Sequence, residues 1–232
     1  MIKTFLILIN LSIILSASEQ IVLVVSSDFN SSTAYMECYE GSHLIMKKTK
    51  VNIGKKGLGW GIGTKALSQS KDEPLKYEGD KKAPIGIFKL SSIYGYASNS
   101  NFKMPYLHAS KTLICVDDSN SPFYNQIITA HGDEKSFEYM KRKDRLYELG
   151  IVVEHNSMAQ PQRGSCIFMH VKKSDNAPTS GCTSMSLTEI QKIASWLDKS
   201  KNPILIQIPK SSSQEILKLY PQLKGSSLLE KE

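Results

Sequence analysis

His170 and Cys182 stand twelve positions apart in the stretch Cys166–Met185, CIFMHVKKSDNAPTSGCTSM. A thiolate is a strong nucleophile and an imidazole can take its proton, so this pair suits acyl transfer through a thioester. Cys166–Val171 reads as a strand, and a period of two puts Cys166, Phe168 and His170 on one face. His170 falls at the strand's end, where side chains emerge toward loops. Thr179-Ser180-Gly181-Cys182 comes just before a helix start at Ser186. The positive end of that helix is expected to favour thiolate and to hold the thiol below its ordinary pKa of about 8.5. Gly181 lets backbone approach closely, and the amides around Cys182 are an expected oxyanion hole. Spacing alone is weak evidence, because a His and a Cys this far apart are common. A buried structural cysteine is the competing reading.

The elements that must position this pair are mostly strands. Ile21–Val25 is β-branched, and Ala34–Leu44 and Ile45–Val51 flank a Gly41-Ser42 turn as a hairpin. Gly54–Gly63, GKKGLGWGIG, lacks the spacing of a phosphate loop, and its glycines are expected to serve tight turns and close strand packing. Ile85–Leu90, Met104–Leu107, Thr112–Val116, Ile151–Glu154 and Pro203–Ile208 also read as extended. Ser136–Leu149 has apolar residues at helical spacing with Gly150 as its stop. Ser186 and Glu189 have capping-box spacing ahead of Ile190, Ile193, Ala194 and Leu197, which predicts a second helix. The segment after Lys210 reads as a short amphipathic piece and a partly disordered polar tail.

The chain has 232 residues, 41% hydrophobic and 22% charged, which fits one ordinary globular domain. Its net charge of +7 suits polyanionic surroundings, but no basic helical stripe or zinc-finger spacing points to nucleic acid. One Lys precedes an apolar run from Phe5 to Leu15, and Ser16, Ala17 and Ser18 follow. This is the layout of a secretory signal peptide, cleaved near Ala17 or Ser18, and the run is too short for a comfortable membrane span. The mature chain is therefore expected to be exported and to lie in no membrane. Cys38, Cys115, Cys166 and Cys182 are irregularly spaced with no CxxC pair, so no metal site or cofactor is expected. A Cys38–Cys115 disulfide is one open pairing. His43, His108 and His131 are isolated, and Trp60 and Trp196 read as packing residues.

Several pieces in order resemble the L,D-transpeptidase catalytic-domain family (YkuD-like, ErfK/YbiS/YcfS/YnhG type). These are GKKGLGWGIG, GDKKAPIGIFKL with Ala83 where Thr is usual, IVVEHN, GSCIFMH and PTSGCTSM. The resemblance covers about Leu44 to Pro209. It implies a mainly β fold with a few helices (α+β), a β-sandwich catalytic domain. It implies Cys182 as nucleophile, His170 as general base and acid, the Val171 main-chain carbonyl orienting His170, and Gly181 in the oxyanion hole. Thr179, Ser180, Ser184 and His155 are the implied substrate contacts. Ser180 stands where the family usually has His, and Ser184 where it usually has Arg or Asn. The substrate's carboxylate contacts must then come from elsewhere, and Lys172, Lys173 and Arg163 are the expected replacements.

The expected organisation is a signal peptide (1–18), an N-terminal strand region (19–43), a catalytic domain (44–209) and a C-terminal tail (210–232). The resemblance implies an exported cysteine acyltransferase of the periplasm or cell wall. It would act on peptidoglycan stem peptides, release a terminal D-amino acid and pass the acyl group to an amine, on a neighbouring stem or an anchored wall protein. The alternatives are an L,D-carboxypeptidase or amidase, a catalytically silent wall-binding module on the same fold, and a structural protein with Cys182 in a disulfide.

Overall fold

Gln20–Ser26 (β1, QIVLVVS) is buried along its whole length, and the rest of the sheet is laid down on both sides of it. A run of β-branched residues with no polar face demands burial on both sides. The computed structural model describes residues 19–230; the predicted signal peptide, 1–18, lies outside them. β2 (Thr33–Glu40) and β3 (His43–Asn52) form the expected hairpin, with Gly41 at φ +58° in its turn. β4 (Leu58–Trp60) leads to β5 (Ala83–Gly95), then β6 (Tyr106–His108), β7 (Leu113–Val116), β8 (Ile127–Thr129) and β9 (Phe137–Tyr139). The chain continues through β10 (Leu149–Val153), β11 (Phe168–Val171) and β12 (Thr183–Met185) to helix α1 (Leu187–Trp196). It ends with β13 (Ile204–Pro209) and helix α2 (Ser213–Leu219).

The main sheet runs β10-β11-β12-β3-β2-β1-β13-β5-β4. The first half of β5 pairs with β13 and its second half with β10, so this long strand brings the sheet back on itself around one core. The result is mainly β, sandwich-like and α+β, as the sequence reading expects. A second, three-stranded sheet, β8-β7-β9, stands apart from this path. In α1, Ser186 and Glu189 make both bonds of the capping box: the Glu189 amide donates to Ser186 Oγ at 3.3 Å, and the Ser186 amide to Glu189 Oε2 at 2.8 Å. Its buried Ile190, Ile193 and Ala194 lie behind β10 and β11.

Three expectations are corrected. Ser136–Leu149 is not a helix: Phe137–Tyr139 pairs with β7, Arg145 turns the chain at φ +61°, and β10 begins at Leu149. Tertiary contacts override the periodicity here. Tyr147 is drawn into the interior by the aromatic rings of Tyr94 and Phe168, at centroid distances of 5.8 and 5.5 Å. Gly150 is not a helix stop but sits within β10, where a Cβ would come 2.3 Å from the Tyr94 ring. Cys115 bonds to Cys166, not to Cys38, which is buried in β2 as a thiol. The disulfide ties β7 to the loop before β11 across a Cα–Cα distance of 6.0 Å. Finally, the segment after Lys210 is packed. Ile216, Tyr220, Leu223, Leu228 and Leu229 join the main core, and Ser226 and Ser227 hydroxyls donate to Glu37 at 2.6 and 2.5 Å.

Candidate active site

β11 begins at Phe168, and Cys166 lies before it with φ +53°, so Cys166 does not share the strand face expected of it. Phe168 and His170 do. Met169 between them points into the main core, while Phe168 packs in a second cluster with Tyr94, Tyr147 and Cys182. β12 runs parallel to β11 with Met169 opposite Thr183 and His170 opposite Ser184. That register carries Cys182 to the level of Phe168, on the same face as His170. The Phe168 amide donates to Cys182 Sγ at 3.3 Å, and Sγ donates to the Cys166 carbonyl at 3.5 Å. Both His170 and Cys182 line one pocket of about 330 Å³.

His170 Nδ1 lies 2.8 Å from the Val171 carbonyl oxygen. A carbonyl can only accept, so Nδ1 carries the proton and Nε2 keeps its lone pair. Burial pushes the His170 pKa down to about 4, and the ring is neutral at pH 7. The Cys182 thiol is pushed up to about 12, by burial first and by the nearby Glu138 second. This reverses the expectation of a lowered thiol. The reason is structural: Thr183–Met185 separates Cys182 from α1, and the helix dipole fades beyond its first turn. The resting pair is thus a thiol and a neutral imidazole.

The expected turn residues are placed as follows. Thr179 is spent inside the loop: its Oγ1 donates to the Cys182 carbonyl at 2.6 Å and accepts from the Gly181 amide at 3.1 Å. An oxyanion role for Gly181 requires that second bond to be exchanged for substrate. Gly181 itself, at φ +154°, has a backbone conformation that L side chains rarely adopt, and a Cβ there would be tight, 3.0 Å from the Lys82 carbonyl oxygen. Ser180 is exposed on the pocket rim, and Ser184 lies at its base with Oγ buried and, among the described residues, unpartnered. His155 is not brought into the pocket wall. Its Nδ1 accepts from the Ile62 amide at 3.2 Å, and its Nε2 therefore donates to the Arg163 carbonyl at 2.9 Å. It ties two loops together.

Residues that the sequence reading passed over complete the pocket. Tyr147 sets its ring 5.1 Å from that of His170, edge to face, and donates its hydroxyl to Glu138 Oε2 at 2.5 Å. Glu138 is contributed by β9, and burial raises its carboxyl pKa. Glu78 accepts from Tyr124 at 2.5 Å and from Ser165 at 2.7 Å. Lys76 is 3% exposed and also lines the pocket. No local signal marks Tyr147 or Glu138, because both fall in the stretch whose periodicity imitates a helix. Lys76 had one signal, its place four residues before the Asp80 of the GDKKAPIG segment.

The fold is thus a mainly β domain that brings an imidazole at the end of one strand and a thiol just before the adjacent parallel strand to one pocket. The chain matches the family model of the L,D-transpeptidase catalytic domain, YkuD, over residues 22–206, and it belongs to that family. Its class is therefore that of the L,D-transpeptidase enzymes, with peptidoglycan as substrate. No curated protein and no solved structure matched the chain in the comparisons made.

Proposed function

We propose that the chain is an exported cysteine peptidyltransferase that acts on peptidoglycan stem peptides in the periplasm or cell wall, with Cys182 as its nucleophile. The observation that carries this reading is the His170 tautomer. With Nδ1–H held by the Val171 carbonyl, Nε2 is a ready proton acceptor on the face that Cys182 shares. In the first step Sγ bonds to the carbonyl carbon before the terminal D-residue. The thiol proton passes to His170 Nε2 and on to the leaving nitrogen as the C–N bond breaks. In the second step an amine attacks the thioester, the C–S bond breaks, and the amine's proton returns through Nε2 to sulfur. Water in place of the amine gives trimming of the stem. A neutral resting pair suits this sequence, because charge separates only when substrate fills the pocket and excludes water.

A silent wall-binding module is the second reading, and the burial of the Cys182 thiol is the one observation on its side. Purified chain is to be incubated with a disaccharide-tetrapeptide and followed by mass spectrometry. Expected are an acyl adduct on Cys182 and release of the terminal D-residue, both lost in Cys182→Ala and His170→Ala. An intact fold with no adduct and no released residue would overturn the enzyme reading and leave the module.

A further inference from the structure

Of the three cations expected to meet the substrate's carboxylate, Lys172 and Arg163 are engaged elsewhere, and Lys173 stands exposed on the pocket rim. Lys172 pairs with Asp175 at 2.8 Å. Arg163 donates to the Lys76 carbonyl at 3.2 Å and lies over the Tyr77 ring. Arg142 reaches the pocket, but its guanidinium is clamped by two bonds to Asp144 at 2.9 and 2.6 Å. The cation buried in the pocket is Lys76. Its Nζ donates to Asp80 Oδ1 at 2.6 Å and to the Tyr77 carbonyl at 2.7 Å. Asp80 in turn accepts from the Tyr77 amide at 2.7 Å and the Lys82 amide at 2.8 Å. Its charge is shared among three donors, and the ammonium keeps one N–H without a partner among the described residues. Nζ stands 3.8 Å from where a Cβ on Gly181 would be. The ammonium therefore stands beside the glycine that precedes Cys182. Of the pocket's carboxyls, Glu138 accepts from the Tyr147 hydroxyl and Glu78 from Tyr124 and Ser165, while Asp117 Oδ1 is buried without a partner among the described residues.

We propose that Lys76 is the specificity-determining cation of this site, taking the free carboxylate of the donor's terminal residue beside Cys182, with Asp80 as the residue that positions it. The proposal rests on the acyl-transfer reading for its substrate. It also explains two departures from the family pattern, because a lysine fixed from the GDKK segment removes the need for a cation at Ser180 or Ser184. A fixed ammonium costs the substrate little ordering entropy, and at a few ångströms in a partly dry pocket one opposite charge is worth about tenfold or more in rate.

The test uses two small alkylating agents of nearly equal size, iodoacetate and iodoacetamide, with site-resolved mass spectrometry of Cys182. Sulfur displaces iodide in both, and only the first carries a carboxylate. The ratio of the two rates at Cys182 is expected to fall about tenfold in Lys76→Met, and to stay within about threefold of wild type in Lys76→Arg and in the control Lys48→Met. The neutral reagent's rate reports whether the pocket is intact. An unchanged ratio in Lys76→Met, or equal losses with both reagents, would overturn the proposal. With stem peptides, Lys76→Met is expected to raise KM for a free terminal carboxylate and to leave an amidated donor unaffected. A normal alkylation ratio with no turnover of either donor would sink the acyl-transfer reading alone.

Discussion

Two sheets meet at the pocket, and they are built on different terms. The main sheet is anchored by strands that are buried end to end, β1 and β13, and its β11–β12 register fixes His170 and, just before β12, Cys182. The three-stranded sheet has strands of three or four residues, and both β8 and β9 are half-buried or exposed. It contributes Glu138 and, just past β7, Asp117. Its attachment to the site is a covalent one, Cys115–Cys166. His170 and Cys182 thus stand on the part of the molecule that is costliest to deform. The wall that shapes their surroundings stands on the part that is cheapest to change.

The largest expected effect tests the rigid side. His170→Ala should lower the rate of Cys182 acylation by about 10²–10⁴-fold with the fold intact, measured by adduct formation and circular dichroism. Next is the staple. A disulfide closing a loop of this separation, 51 residues, is worth about 4 kcal/mol by loop-closure entropy. The double variant Cys115→Ala/Cys166→Ala should lose stability of that order in denaturant titration. Its hydrogen exchange should rise over 113–139 while β1 and β13 stay protected. Equal loosening of both regions would erase the distinction between them. The third is a core contrast: Ile206→Ala, in the fully buried β13, should cost about 2–5 kcal/mol, and Ile127→Ala in the small sheet clearly less.

A fourth concerns pH. His155 and His170 both have folded pKa values near 4, below the ordinary 6.5, because burial disfavours the charged ring. Between those values the unfolded chain binds more protons, so stability is present above about pH 6.5 and is lost as pH falls toward 4. Denaturant titrations across that window should show the slope, and His170→Ala should reduce it by about one proton's worth. The smallest effect belongs to the soft wall. Glu138→Gln removes a like charge from beside the thiol, and Cys182 alkylation by iodoacetamide at pH 7 should speed up a few-fold.

How much of this was readable in the sequence follows the same division. His170 and Cys182 are joined by one short connection, and alternation along FMHV puts Phe168 and His170 on one face without any distant contact; that Cys182 shares it comes from the β11–β12 register. The capping box of α1 and the Gly41-Ser42 turn are equally local, and both stand where the sequence places them. The rest depends on partners far along the chain. Tyr147 leaves its helical periodicity because Tyr94, Phe168 and Glu138 receive it. Cys115 finds Cys166 because β7 is folded against the loop before β11, which no spacing reveals. The Cys182 thiol is raised because distant parts of the chain bury it and bring Glu138 near, and the three-residue strand between it and α1 keeps the helix from offsetting that.

The pairing of β1 with β13 has a consequence in time. Ile21 lies opposite Ile204, Val25 opposite Ile208, and six residue pairs in all join the two strands. A ribosome adding about 5–20 residues per second needs roughly 10–40 s to travel from the first of these partners to the second. Throughout that interval a strand destined for burial along its whole length has one open edge and no route to its native neighbour there. The main sheet therefore stays incomplete throughout that interval. It locks only when nearly its whole length has been delivered.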